Sequence, residues 1–599
     1  MPGRRRSEVR ERPSNEAVAA LLQEYSDLLA ITGGEPFKPR VYEKAARAVA
    51  GHSTPVSGLD SDELTKIPGV GASIADKIVE FRDTGRLAVL EELRDRVPAG
   101  VRAMTAVPGL GPKKAMLLYQ TLGVDSVAGL EEAIDAGRLS GLRGFGPKTA
   151  ENLRHGIEVS RARSGRFLID TAMSTAADVV EALARVRVAQ RCTYAGSLRR
   201  MRESIGDIDV LAAADQPRPL MDALTRLPVV TEVIVHGDKK TSVRTSSGIQ
   251  VDLRVVPLAA WGAALIYFTG SKPHNLRIRE MAGRQGLKLS EYGLFRDEDD
   301  SLIVSETEED VYAQLGMAWI PPTLREDRGE VEAALEGRLP ELVTVEDIRG
   351  DLHTHTSLTD GVSTLEEMVT AARERGLEYF AVTDHAEKMP MQRMTREKML
   401  KQRAQLRAIS GDAMTLLHGT ELNIDPDGGV DWDAEFLADF DVCVASVHSH
   451  FTQAAAAMTR RLVAACENPY VHIIGHPTTR QIERRPPIEA DWDAVFAAAG
   501  RTGTVLEVNS YPDRLDLPDE LILRAKRYGV KFAVNTDSHA RVHLGYLSYG
   551  VATAQRGWLT PDDVINTWPL AKLRSFLRGK SGRAPESAAR PTRTHARTK

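Results

Sequence analysis

Cysteine is scarce in this chain. Cys192, Cys443 and Cys466 are the only three in 599 residues. They lie too far apart for a thiolate metal motif and are too few for a disulfide framework, so a reducing cytoplasm is the expected setting. Long apolar runs are missing too, which excludes a membrane-spanning helix. The basic opening MPGRRRSEVRER is followed by no apolar stretch, so it does not read as a secretory signal. Nor is there a strong excess of one charge: the formal net charge is −5, which by itself does not advertise a nucleic-acid binder. That figure averages unlike parts. From Lys572 to Lys599 many Lys and Arg face one acid, Glu586, amid Ser, Thr and Pro. Such a tail is expected to be disordered, either merely solvated or touching a polyanion. What remains, 42% hydrophobic and 27% charged, is ordinary globular composition. Its length calls for roughly three to five domains.

One pattern recurs three times near the N-terminus: IPGVGASIADKI from Ile67, VPGLGPKKAMLL from Val107 and LRGFGPKTAENL from Leu142. Each sets an apolar residue before Gly-x-Gly (Gly69 and Gly71, Gly109 and Gly111, Gly144 and Gly146) and then a helix-forming segment. The glycines allow a tight turn and leave backbone N–H groups open at a helix start, where a phosphate can sit. The repeats resemble helix-hairpin-helix motifs, which hold the DNA backbone without reading bases. One Gly-x-Gly turn serves packing as readily as binding; three in so short a span favour nucleic acid. Lys77 follows the first turn, with Lys38 and Tyr42 upstream. It is either a Schiff-base nucleophile for an abasic sugar or a surface lysine offsetting phosphate charge.

The stretch GDIDVL places Asp207 and Asp209 two residues apart. On a strand they share one face, where each raises the cost of ionising the other unless a cation lies between them. QVDLRVV, 250 to 256, reads as a second strand and offers a third carboxylate, Asp252. Just before the first pair, AGSLRR supplies Gly196 and Ser197 for a phosphate-binding turn and Arg200 to neutralise a triphosphate.

Gly-Ser, Arg-Arg, Gly-Asp-Ile-Asp, Val-Asp-Leu-Arg and YFTGSKPHN (267 to 275), in that order, resemble DNA polymerase family X, the DNA polymerase beta group, over about residues 13 to 325. The resemblance implies that Asp207, Asp209 and Asp252 hold two Mg²⁺ ions for nucleotidyl transfer. It implies that Gly196, Ser197, Arg200 and Gly206 bind the triphosphate. Tyr267, Phe268, Gly270 and Asn275 would hold the incoming sugar and base, with Arg279 on the template side. Lys77 matches the family's lyase lysine by its distance from the first hairpin, while a second basic position of that pocket reads Ser73 here.

Beyond residue 350 the pattern changes to seven short apolar runs separated by helical stretches: GDLHTHT (350–356), YFAVTDH (379–385), MTLLHGTEL (414–422), FDVCVASVHSH (440–450), VHIIGHP (471–477), TVLEVNS (504–510) and KFAVNTDSH (531–539). Strand–helix repetition predicts a parallel sheet or barrel. In the first intervening segment, Ser363 and Glu366 fit a capping box. Nearly every run ends in His, Asp or Glu, and in a barrel those ends meet at one mouth. His353, His355, Asp360, His385, Glu421, His448, His476, Asp537 and His539 form the expected ring, with His450 as an extra. Imidazole mixed with carboxylate suits Zn²⁺, Mn²⁺ or Fe²⁺, and nine candidates suit two or three ions. The set resembles the PHP (polymerase and histidinol phosphatase) domain, a distorted barrel of seven strands with a trinuclear site.

The expected fold is therefore multidomain α+β and α/β: a helix-hairpin-helix region, a nucleotidyltransferase palm with thumb, then a distorted (β/α)7 PHP barrel. The expected bounds are a disordered basic N-terminus (1–12), a lyase-like helical domain (13–88), a fingers-like hairpin region (89–160), the palm (161–258) and a nucleotide-selecting thumb (259–325). A linker (326–346), the PHP domain (347–575) and a disordered tail (576–599) follow. The expected activity is gap filling in DNA repair, by base excision or end joining. A 3′–5′ exonuclease or 3′-end phosphodiesterase is attached, and abasic-site lyase or incision activity is implied as well. The expected partners are gapped or nicked DNA, deoxynucleoside triphosphates and other repair proteins. The chain is expected to be a cytoplasmic, nucleoid-associated monomer without membrane contact. Two other readings stay open: a nucleotidyltransferase joined to a small-molecule phosphatase, and a DNA-end-binding scaffold with relic sites.

Overall fold

The computed structural model describes residue 13 and residues 15–582, apart from 33–36, 51–54, 68, 106, 108–109, 140, 143, 147–148, 152, 155–156, 158–164, 390–393, 410 and 412–413. The basic N-terminus, Gly109 and the tail beyond residue 582 thus lie outside the described residues.

Helices α1 (Asn15–Thr32) and α2 (Lys38–Ala50) pack through Val18, Leu22, Tyr42, Ala45 and Val49. The first hairpin closes this core with Leu64, Ile74 and Ile78. A second apolar cluster, made of Leu28 and Ile31 of α1 and residues from Leu87 to Ile157, joins the other two hairpins. Gly71 and Gly111 directly precede the helices Ala72–Thr84 and Pro112–Leu122, and no side chain caps either start. Gly69 and Gly144 turn the chain at φ +88° and +91°, a region that other residues seldom adopt.

Next come β1 (Phe167–Leu168), which pairs with β3 (Ser204–Ile205), and a five-stranded sheet in the order β2-β4-β7-β6-β5. Its strands are β2 (Arg191–Tyr194), β4 (Asp207–Ala213), β5 (Val230–His236), β6 (Lys240–Thr245) and β7 (Gln250–Val256). Only β4 and β7 run parallel, with Asp209 directly opposite Asp252. A small sheet of β8 (Leu287–Ser290), β9 (Gly293–Arg296) and β10 (Leu302–Val304) follows the helices Trp261–Thr269 and Lys272–Arg284.

The seven C-terminal apolar runs all become strands, hydrogen-bonded in sequence order and wholly parallel: β11 (Gly350–Asp351), β12 (Tyr379–Val382), β13 (Thr415–Asn423), β14 (Val442–Ser446), β15 (Ile473–Ile474), β16 (Val505–Asn509) and β17 (Phe532–Asn535). Continuous apolar runs suit strands covered on both faces. A parallel bridge between Thr354 and Ser538 draws the last strand to the first, and the barrel is nearly closed. Its interior holds Leu352, Tyr379, Leu417, Val444, Ile473 and Ala533, plugged at one end by Trp568, Leu573 and Leu577.

Three expectations change. The capping box is formed by Thr364 and Glu367, one residue later than Ser363 and Glu366, while Ser363 Oγ instead accepts from Arg541 N at 3.2 Å. The segment read as a linker is embedded: Glu330 accepts from His274 within its own half, Val343 N donates to the Leu559 carbonyl, and the Val343 carbonyl accepts from Gln555 Nε2. The tail does not begin at 576, because the helix Leu570–Ser581 continues and Lys580 donates to Thr504 Oγ1 (2.8 Å) and the Cys466 carbonyl (2.9 Å). Long polar side chains conceal such burial in a sequence, since their stems pack while their ends find partners. Among the described residues no helix is long and apolar enough to cross a membrane.

Candidate metal centres

The first centre stands at the N-terminal edge of β4 and β7. Asp207 is exposed, Asp209 half-buried and Asp252 buried. Strand alternation puts all three carboxylates on one face and Ile208, Val210, Val251 and Leu253 in the core on the other. Burial, then the charges of Asp207 and Asp252, push the Asp209 carboxyl up to about 7. Burial and Asp252 also raise that of Asp207. Burial would raise Asp252 as well, but hydrogen bonds from Lys240, Ser242 and Gln250 win and lower it. Lys240 Nζ lies 2.5 Å from Asp252 Oδ2, so a cation of the chain itself stands where extra positive charge is needed.

Gly196 comes within contact distance of this group. At φ +61° a side chain there would overlap the Asp209 carboxylate, so only glycine lets the Gly196–Arg199 turn approach. Ser197 follows it, and Gly206 sits beside the Arg166 guanidinium. Arg200 is held away from solvent: its Nε lies 3.1 Å from Glu326 and its Nη1 donates to the Thr269 carbonyl at 2.5 Å. A Cβ on Gly270 would stand 3.1 Å from that same Nη1. Tyr267 is exposed, its ring 5.1 Å from that of Phe268, and Asn275 Nδ2 donates to the Tyr267 carbonyl at 2.7 Å. Arg279 is exposed on the next helix. Lys77, remote from this centre, donates to Ser73 Oγ at 3.0 Å and stands 5.7 Å from the Tyr42 ring and 6.0 Å from Tyr25.

The second centre is the barrel mouth. All nine residues expected there converge. They form three overlapping groups able to hold an ion: His355, Asp360, His385 and His539; His353, His355 and Asp537; His385, Glu421 and His448. His476 joins through Glu421, 3.1 Å away. Donor atoms face one another at near-ligand spacing: His353 Nε2 to His355 Nε2 is 3.2 Å, and His355 Nε2 to Asp537 Oδ1 is 3.2 Å. Two ligands on one tetrahedral Zn²⁺ at about 2.0–2.1 Å are separated by about 3.3 Å.

The outer nitrogens are tied down. His353 Nδ1 meets Glu507 at 2.7 Å, His448 Nδ1 meets Asn423 Oδ1 at 2.7 Å and His539 Nδ1 donates to the Asp537 carbonyl at 2.7 Å. Such outer partners orient ligating imidazoles. Within the cluster, buried His355 Nδ1 and Asp360 Oδ1 have no hydrogen-bond partner, and His385 Nδ1 and Glu421 Oε2 have only each other, 2.8 Å apart. Buried polar atoms rarely stay unsatisfied, so this donor set fits metal ions. Burial would raise Glu421, yet His448, His385 and His353 hold it well below the usual carboxylate range. His450 stays exposed beside Ser449.

Comparison with known proteins matches this architecture. A DNA polymerase beta thumb model covers residues 264–326, a helix-hairpin-helix domain 13–87, a SAM-like helix-hairpin-helix tandem 101–158 and a PHP domain 351–511. The DNA polymerase/3′-5′ exonuclease PolX of Bacillus subtilis (strain 168) is 35% identical over 566 residues, 94% of this chain and 99% of its own length. This chain belongs to the family X DNA polymerases of the PolX type. DNA polymerase lambda of Rattus norvegicus is 27% identical over 49% of this chain and 53% of its own. A probable phosphatase of Thermoanaerobacter sp. (strain X514) is 29% identical over 38% of this chain and 94% of its own.

Sequence reasoning missed several residues of this chain. Glu507 orients His353 and also accepts from His476 N at 2.7 Å; its one signal was an acid inside the apolar run VLEVN. Asp384 gathers Thr356, Thr359 and Gln402 beneath His385. Lys240 gave none, because only strand pairing brings it to Asp252.

The Asp209 carboxyl yields a pH test. It keeps its proton to about 7 in the fold but loses it near 4 when unfolded. Its stabilisation of the metal-free protein is therefore full below about pH 4 and lost as pH rises through about 7. Melting temperature in EDTA should fall between about pH 4 and 7 and level off above, and fall less in Asp209→Asn. Equal falls in both would overturn the assignment.

Proposed function

We propose that this chain fills short gaps during DNA repair and trims or cleans the 3′ end before extension. The observation that carries this is the presence, in one chain, of three carboxylates on adjoining parallel strands and a complete His/Asp/Glu ring at a barrel mouth.

Asp207, Asp209 and Asp252 would hold Mg²⁺, and the barrel ring would hold two or three Mn²⁺, Zn²⁺ or Fe²⁺ ions. Bound divalent cations supply charge neutralisation and activate the attacking oxygen. The chain contributes positioning. Backbone N–H groups at Gly196 and Ser197, with Gly206 nearby, receive the triphosphate of a deoxynucleotide. Arg200 joins them by exchanging Glu326 for phosphate. Tyr267, Phe268, Gly270 and Asn275 place the sugar and base, and Arg279 meets the template. The hairpin glycines 69, 71, 111, 144 and 146 hold the duplex backbone on either side of the gap. At the barrel, Glu507 and Asn423 keep imidazole Nε2 atoms aimed inward, so the site is already arranged for a phosphodiester. Lys77, beside the edge-to-face pair Tyr25 and Tyr42, would be the nucleophile for an abasic sugar.

Asp252→Ala should abolish primer extension on gapped DNA, lowering its rate by at least about 100-fold, while gapped-DNA affinity stays within about twofold. Undiminished extension refutes the centre. Changing His353 and His355 together to Ala should remove Mn²⁺-dependent shortening of a 3′ end and leave extension intact; shortening that survives in rigorously purified double variant rules out the barrel. A phosphatase would instead release phosphate from a 3′-phosphorylated end without shortening it. Borohydride should trap a covalent adduct on an abasic duplex, absent in Lys77→Ala; with no adduct from the unaltered chain, the lyase reading ends.

A further inference from the structure

The barrel mouth opens into a cleft of about 750 Å³ whose opposite wall is the N-terminal domain. Gln23 and Asp27 of α1 face the metal-site residues across it. The two walls are held together where Val362 and Ala540, on the barrel rim, enter the apolar core of α1 and α2. A volume of this size lies within the roughly 300–1,000 Å³ of pockets that enclose a small ligand.

Two tyrosines line the cleft beside the ligands. Tyr511 follows β16, and its ring stands edge-on to that of His539, with centroids 6.5 Å apart at 87°. It meets His543 at 5.2 Å and 80° and Tyr546 at 5.2 Å and 77°. Tyr546 in turn stacks on His543 at 5.1 Å and 13°. Rings on two sides thus fix the orientation of Tyr511, which remains partly exposed to the cleft. Cations flank it: Arg514 Nε is 3.6 Å from Asp537, and Arg484 lines the same space. The acid on the facing wall nearest these groups, Asp27, accepts from Gln23 at 2.9 Å, and Glu24 is paired with Arg94 at 2.8 Å and with Arg102. An aromatic face with guanidinium groups on one wall of a narrow cleft is the chemistry that receives unpaired nucleobases.

We propose that Tyr511 forms a base-stacking subsite that takes the terminal unpaired nucleobase of a strand whose phosphodiester lies at the barrel cluster. It rests on reading the barrel as a nuclease for DNA ends.

The test uses the full chain with Mn²⁺ and no nucleotides. An oligothymidylate ending in thymidine is compared with one ending in a tetrahydrofuran residue, which keeps the backbone and lacks the base. The unaltered chain and Tyr511→Phe should favour the base-bearing end in kcat/KM by about 5- to 150-fold, the range that one base–aromatic stack gives. Tyr511→Leu should cleave both alike. A preference kept by the leucine variant, or missing from the unaltered chain, overturns the proposal. A second readout is independent of turnover: with Ca²⁺, a 3′-terminal 2-aminopurine should be quenched by the unaltered chain and by Tyr511→Phe but not by Tyr511→Leu. Should neither oligonucleotide be cut, the nuclease reading fails by itself. The quenching then decides the subsite, and equal quenching by all three proteins sinks it.

Discussion

A parallel register that sets Asp209 opposite Asp252 fixes the chemistry of the N-terminal half. Like charges this close are costly unless a cation joins them. The fold supplies only part of that compensation, through Lys240. Relief by sliding is barred. A shift of one residue would turn the acids into the core and bring Ile208, Val210, Val251 and Leu253, all buried, to the surface. Apolar burial on one face of β4 and β7 therefore holds charge repulsion in place on the other.

The barrel meets the same constraint with both signs present. Carboxylates and imidazoles pack so tightly that several buried donors and acceptors lack partners. Here rotation of the rings, rather than strand slippage, is the escape. Glu507, Asn423 and the Asp537 carbonyl remove it by binding the outer nitrogens of His353, His448 and His539. Beneath them, Trp568, Leu573 and Leu577 fill the far end of the barrel. The ligands stand on a packed floor rather than over a pore.

Much of this was legible before any coordinates. Seven apolar runs became seven strands because burial on both faces writes itself as unbroken Val, Ile, Leu and Ala. Most of the ligand candidates showed because they stand at or near the end of such a run; Asp360 lies on the segment after the first. Supporting residues were harder. Lys240 and Asp384 act through tertiary neighbours, which no local period encodes, and Glu507 was one acid among many. The capping box slipped by one position because Ser363 and Thr364 both satisfy its pattern, and Ser363 found a partner in Arg541. Lys580 looked like part of a solvated tail, yet two oxygens bind its ammonium group at the end of a packed helix.

The junction between the halves shows how a buried arginine can be free to work. Arg200 pairs with Glu326, and Glu326 also receives Arg556, a barrel-side residue, at 2.9 Å. Arg556 is anchored independently by Asp519 at 2.6 Å and donates to the Arg200 carbonyl at 2.9 Å. Removing one partner from a buried pair normally leaves an uncompensated charge, at a cost of about 3–5 kcal/mol. With two arginines on one glutamate that cost is avoided: were Arg200 to leave, Glu326 would keep Arg556. The C-terminal domain thereby supplies the counter-charge that lets a polymerase-side arginine exchange partners. The two halves are coupled at this point by shared charge and by the Arg556 bond to the Arg200 carbonyl.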